Sequence, residues 1–375
     1  MKQVSIFFSL LFMLFLAVSC GNKDVAEAVE GESLVMRHSS LLAITDCDGY
    51  TVVDVKNPWG KGLLGRYILV SKETAMPEEL PEGVVLRTPL EKTILFSGVH
   101  AVLFEELDVE SSVAGVCDAR YLYSYIIAKG VADGSVVDCG SSLNVNAEKV
   151  MQVAPDGIFV LPYENGGYGK LESMPFPLVE CADYMETSPL GCAEWVRFYG
   201  RLMGRAAESD SLFDAVRREY LSLCDAVKDG GTRPKLMCEL KSSSAWYVPA
   251  GESTMGRLYA DAGACYLFSS FAGSGSLPLS FEKVLSMAAD ADVWLFKYNS
   301  PVDVTYSSLL SDYAGYAHFR PFKERKVYAC NTHRRNIFEQ VTFHPEKLLK
   351  ELAALFNPTL FPGYEYVYYE KLREE

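Results

Sequence analysis

The sequence predicts an α/β chain of two related lobes joined by a long rigid helix, with a small β meander in front. Three observations carry that prediction. From residue 92 onward, short runs rich in β-formers alternate with helical stretches, the texture of parallel βα units. Two segments of the chain repeat one another. Between the copies lies an extended amphipathic segment with helical spacing.

Composition sets the limits. Of 375 residues, 49% are hydrophobic, enough for more than one core, and 35 Lys+Arg stand against 49 Asp+Glu. A net charge of −14 with no basic block argues against a phosphate-backbone binder, so nucleic acid is not an expected partner. The 28 Gly and 17 Pro are too few for a low-complexity or collagen-like chain.

Residues 1–19 read as a secretory signal. Lys2 supplies the positive end, residues 4–18 are almost wholly apolar, and the small residues Ala17 and Ser19 flank Val18 before Cys20. A cysteine at the cut resembles a bacterial lipobox, with Ala17 where leucine is usual and Leu16 beside it. That predicts an acylated Cys20 as the first residue of a lipid-anchored chain. The run is short for a spanning helix and no other run reaches that length, so only the lipid is expected to engage the membrane. Residues 20–33 are small and acidic and read as a spacer. Of ten cysteines, none form a C-x-x-C pair, and several sit inside apolar runs as buried small hydrophobes do. Disulfides stay open.

Residues 34–87 alternate and turn. Asp48-Gly49, Asn57-Pro58 and Gly60-Lys61-Gly62 punctuate runs rich in Thr, Val, Ile and Tyr, which is a hairpin pattern. Residues 88–190 form the first lobe, with strands expected at 92–96, 112–117, 157–161 and 177–181. The repeat begins here. AEKVMQVAPDGIFVLPY (147–163) matches FEKVLSMAADADVWLFKY (281–298), and one extra residue in the second copy sets Tyr163 against Tyr298. Each copy is a helix, a turn at Asp, a buried strand and a Tyr at the strand end. Ligands of open parallel sheets bind beyond the carboxyl ends of the strands, which predicts the two tyrosines facing a cleft between the lobes.

Residues 191–231 carry the linking helix. Trp195, Phe198, Tyr199, Leu202 and Met203 share one face, and Leu212, Phe213, Val216, Tyr220, Leu223 and Val227 continue it to Gly230-Gly231, with Gly204 marking a break. A second strand–helix series fills residues 232–375, closing with a helix at 345–356 that starts on Pro345 and stops before Pro358.

Taken together, these features resemble the class III substrate-binding proteins of ABC importers, which carry ferric siderophores, heme or vitamin B12. The stretches that carry the resemblance are NAEKVMQVAPDGIFV, SPLGCAEWVRFYGRLMG, VPAGESTMGRLYADAG and PFKERKVYACN, spread over roughly residues 84 to 357. The meander looks like that of Bacteroidetes members. The resemblance implies two Rossmann-like lobes, a monomer facing the periplasm, an ABC permease as partner, and an iron chelate or corrinoid as cargo. It also implies that one surface glutamate per lobe meets the permease: Glu252 in the second lobe, and Glu164 or Glu172 in the first.

Enzyme signatures are scarce. There is no G-x-S-x-G elbow, phosphate loop or H-E-x-x-H, the five histidines show no metal-ligand spacing, and no cofactor is expected. His344, before Pro345, reads as a helix-start residue, whereas His100 after the first core strand is expected near the cleft mouth, as a ligand to iron if the cargo is heme. Aromatic residues crowd the loops after strands: Tyr121, Tyr123, Tyr125, Tyr163, Tyr168, Trp246, Tyr247 and Tyr298. Such walls suit a large planar or partly apolar cargo. Arg334 is placed to hold an anionic group. A rival reading makes the chain a surface lipoprotein that binds a partner protein through the meander.

Overall fold

The computed structural model describes residues 29–375. The leader and Cys20 lie outside the described residues.

Five strands form the N-terminal sheet. Glu32–Leu34, Leu42–Cys47, Tyr50–Lys56 and Leu63–Ser71 run antiparallel in chain order, and Val84–Thr88 then lies parallel to Leu63–Ser71. The meander therefore ends in a crossover, made by residues 72–83, and not in a further hairpin. Asp48-Gly49 makes the tightest turn, with Gly49 at φ +83°, a region glycine enters at little cost. Alternation along the strands assigns the faces. Ile44, Val53, Val55, Tyr67 and Leu69 join the main core, while Val52, Ile68 and Val70 cluster on the opposite side with Tyr50 and Leu80. Apolar residues on both faces of the central strands are buried.

Two buried carboxylates fasten the segment between the first two strands of this sheet. Glu194 accepts the backbone N–H groups of Arg37, His38 and Ser39 at 3.0, 2.8 and 2.8 Å. Glu186 accepts the N–H groups of Ser40 and Leu41 and the indole N–H of Trp195, at 3.0, 3.1 and 3.1 Å. Charge-assisted bonds of this number offset the desolvation of each carboxylate.

The first lobe is a parallel sheet in the spatial order Leu178–Glu180, Gly157–Val160, Thr93–Leu95, Val113–Val116, Val137–Asp138. The second runs Cys265–Tyr266, Lys235–Cys238, Val293–Tyr298, Val327–Asn331, with Glu370–Lys371 antiparallel at its edge. A small antiparallel sheet of Lys241–Ser242, Ala245–Pro249 and Ser276–Leu279 is added to the second lobe. Val137–Asp138 and Glu370–Lys371 are too short to read as strands from sequence.

The repeat copies occupy equivalent places. Helix Ala147–Val153, capped by Asn146, leads into Gly157–Val160, and helix Phe281–Ala288, capped by Ser280, leads into Val293–Tyr298. Each strand lies beside the first strand of its own lobe, where the strand order changes direction. The register differs from the sequence match. Asp156 donates its N–H to Lys92 O at 2.7 Å and accepts Lys92 N–H on its carboxylate at 3.2 Å. Asp292, and not Asp290, makes the same pair of bonds to Lys235, both at 2.8 Å. The second copy thus has two extra residues in its turn, and Tyr163 and Tyr298 fall out of step by one.

The linking segment is three helices: Pro189–Glu194, Val196–Leu202 and Ala206–Gly230, the last two separated at Gly204, φ +70°. The expected apolar face is buried, from Trp195, Phe198 and Tyr199 to Phe213, Tyr220 and Val227. Helix Ala206–Gly230 packs on Pro345–Phe356 of the second lobe, which stiffens the link. A Cβ on Gly200 would lie 2.0 Å from Ser209 Oγ, so only glycine lets the two spine helices close on each other. The nine described cysteines are unbridged, and seven of them are buried. Among the described residues no helix is long and apolar enough to cross a membrane.

Candidate functional site

In the first lobe the connections from Thr93–Leu95 and Gly157–Val160 leave the sheet on opposite sides, and a crevice opens where they part. A cavity of about 460 Å³ lies there. Phe96 follows the first of these strands and Leu161 the second, and Tyr163, Tyr168, Leu171 and Leu143 complete its apolar wall. Tyr163 is 51% exposed and Leu143 85%, apolar surface that a ligand's face would cover. The Tyr163 ring rests on its own turn, its hydroxyl donating to Gly167 O at 3.3 Å. A Cβ on Gly166 would come 2.0 Å from that ring, so this turn requires glycine there. Tyr168 is held by two carboxylates: its hydroxyl donates to Glu180 at 3.0 Å and its N–H to Glu172 at 2.6 Å. Burial pushes the Glu180 carboxyl up, against the effect of the Tyr168 bond.

A second cavity of about 330 Å³ lies between the lobes, with Tyr184 and Met185 on one side and Pro249, Thr254, Met255 and residues 274–276 on the other. The Tyr184 hydroxyl donates to Pro162 O, which lies between Leu161 and Tyr163 of the first cavity's lining. Tyr247 shares a strand face with Pro249, because side chains two apart point the same way, and it is half exposed.

Elsewhere the lobes touch directly. Helix Gly98–Glu106 packs on Ile337–Val341, and the Tyr123 hydroxyl donates to Thr332 O at 2.8 Å. His344 bridges Glu106 of the first lobe at 2.7 Å and Glu346 of the second at 2.9 Å.

Two expected ligand contacts are corrected by burial. His100 is 1% exposed, its Nε2 3.1 Å from Asp183 and its ring among Phe159, Tyr199 and Phe343. Burial disfavours its cation, but Cys181 and the hydrogen-bonded Asp183 outweigh that and raise its pKa. A histidine so enclosed ties the first lobe to the spine and does not reach a cargo iron. Trp246 is fully buried, donating to Cys238 O at 2.9 Å and packed on Trp294, Tyr316 and Phe319, since the inward face of its strand carries it into the core.

Several other expected residues are engaged within their own surroundings. Tyr298 donates to Asp303 at 3.3 Å and accepts Val304 N–H at 3.2 Å, all within its own lobe. Arg334 pairs with Asp303 at 2.9 Å and donates to Pro301 O at 3.0 Å. Tyr121 is 60% exposed beneath the Arg120 guanidinium, 4.6 Å from its ring centre. Glu164 and Glu252 are exposed, and Glu252 accepts Gly273 N–H at 3.3 Å. Glu172 is exposed and spends one oxygen on Tyr168. Sequence reasoning missed Phe96, Leu143 and Tyr184. Tyr184 follows a strand as Tyr163 does, so the same rule reaches it; Leu143 sits in a polar hairpin with no signal of its own. Among the described residues no group of three or more His, Cys, Asp or Glu side chains is placed to hold a metal ion.

Two parallel-sheet lobes on a helical link, with a crevice at the strand ends, define a two-lobed binding protein. A sequence profile of the periplasmic binding protein family matches residues 100–332, and the chain belongs to that family. It is of the class III build. It is 26% identical over 314 residues to an uncharacterized lipoprotein of Methanocaldococcus jannaschii, covering 80% of this chain and 74% of that one. Its fold is similar to a periplasmic heme binding protein from Pseudomonas aeruginosa, with TM-score 0.58 and 15% identity over 76% of this chain and 100% of that one. It is also similar to the periplasmic vitamin B12 binding protein of Vibrio cholerae, with TM-score 0.53 and 12% identity over 73% and 99%.

Proposed function

We propose that this protein is a lipid-anchored, periplasm-facing receptor that captures an iron chelate or a corrinoid and passes it to an ABC permease. The observation that carries the reading is the first-lobe crevice, where Tyr163 and Leu143 stand exposed over a cavity at the point of strand reversal. Relatives described as heme and vitamin B12 binding share the fold, and a relative described as a lipoprotein supports the anchor at Cys20. The lobes touch beside the cleft and the link is braced by a second helix, so capture proceeds with little lobe closure. Exposed Glu252, with Glu164 or Glu172 across the cleft, supplies the acidic pair that orients docking on permease arginines. The protein acts as a monomer.

Calorimetric titration with cyanocobalamin, hemin and ferric hydroxamate tests the reading. Binding of one of them is expected, and Tyr163→Ala is expected to weaken it by about three- to tenfold through lost stacking. Absence of heat with all three, from protein shown to be folded, rejects it.

A further inference from the structure

The charges around the two cavities restrict the cargo further, given the receptor reading above. We infer that the cargo is an uncharged or at most singly charged chelate, with an apolar face and amide or carbonyl oxygens at its edge, and that polyanionic chelates are rejected.

Lys170 is the one formally charged residue lining the first-lobe cavity. Its neighbours on the same loop, Glu164 and Glu172, are exposed, and Glu180 stands behind Tyr168. In formal charge, three carboxyl groups of this region stand against one ammonium. In the cavity between the lobes the one charged lining residue is Glu186, and its oxygens are engaged by Ser40, Leu41 and Trp195. No arginine lines either cavity. Arg334 is paired with Asp303, Arg120 covers Tyr121, and Arg335 stands exposed outside the lining of either cavity. What both cavities do present is neutral hydrogen-bonding groups, Asn144 in the first and Ser274 and Ser276 in the second, while the Ser142 and Thr254 hydroxyls already donate to Asp118 and to Glu186 O. Hydroxyl and amide groups satisfy carbonyl oxygens without leaving a buried charge behind. A trianion entering here gives up hydration and finds one cation among carboxylates, within a chain whose net charge is −14.

The test uses the mature chain and four probes in parallel titrations: a neutral ferric trihydroxamate, cyanocobalamin, hemin with its two carboxylates, and a trianionic ferric tris-catecholate. The neutral trihydroxamate or cyanocobalamin is expected to bind at least about tenfold tighter than the tris-catecholate. Its affinity is expected to hold within about twofold between low and high salt. Tyr163→Ala is expected to weaken it. Equal or tighter binding of the tris-catecholate, or an affinity that falls steeply with salt, overturns the charge assignment and leaves the receptor reading standing. No binding of any of the four overturns both.

Discussion

Replacing His344 with glutamine is expected to destabilise the protein near neutral pH and to have little effect above about pH 9. The imidazole lies between Glu106 Oε2 at 2.7 Å and Glu346 Oε1 at 2.9 Å, with its side chain 12% exposed. Burial alone would lower its pKa, but the bonds to Glu106 and Glu346 prevail and raise it from 6.5 to about 9. At about 1.4 kcal/mol per unit, that rise sets a ceiling of about 3.4 kcal/mol. Glu106 is 36% exposed, so solvent screens part of its share, and about 2 kcal/mol is the expected loss. The folded-state value lies above the unfolded one, so the stabilisation is complete below pH 6.5 and is lost as pH rises through about 9. Lys347 adds to the field on Glu106 but not to the sign. Denaturant unfolding of wild type and His344→Gln, followed by circular dichroism across that range, measures the difference. The two curves should converge at alkaline pH. Curves that stay parallel would refute the account of His344 as a charged bridge between lobes.

Two further outcomes follow from buried groups. Trp246→Ala should lower stability by about 3–5 kcal/mol, as expected for removal of an aromatic core side chain. A variant with an unchanged melting temperature and lost cargo binding would return Trp246 to the cleft. Glu194→Ala leaves three backbone N–H groups without their carboxylate, while Arg197 keeps Asp210 and Asp214, a loss of about 3 kcal/mol. Limited proteolysis should then cut within residues 35–41 well before the body of the protein, and uniform resistance there would contradict the role given to Glu194.

Much of the architecture is written in local pattern. The linking face from Trp195 to Val227, the helix at Pro345–Phe356 and the strands at Gly157–Val160 and Val327–Asn331 are legible because burial imposes periodicity on consecutive residues. The repeat was legible for the same reason, and its placement beside the first strand of each lobe gives it a physical meaning. Its exact step was not, because the turn between helix and strand is set by which aspartate reaches the backbone of the neighbouring strand. That contact spans 64 residues for Asp156 and 57 for Asp292.

By itself, then, the sequence determined the α/β class, the two-lobed order and the aromatic character of the loops after strands. Tertiary structure decided which of those aromatics meet solvent. Trp246 and Tyr247 are adjacent in sequence and differ only in the face of one strand, yet one is fully buried and the other half exposed. His100 follows a strand end as a cleft residue would, but helix Gly98–Glu106 turns it onto Asp183 and Tyr199. Loop charge was equally undecided, since whether Arg334 is free for an anion depends on Asp303, thirty-one residues away. Periodicity reports burial along one element; the site depends on what distant elements bring against it.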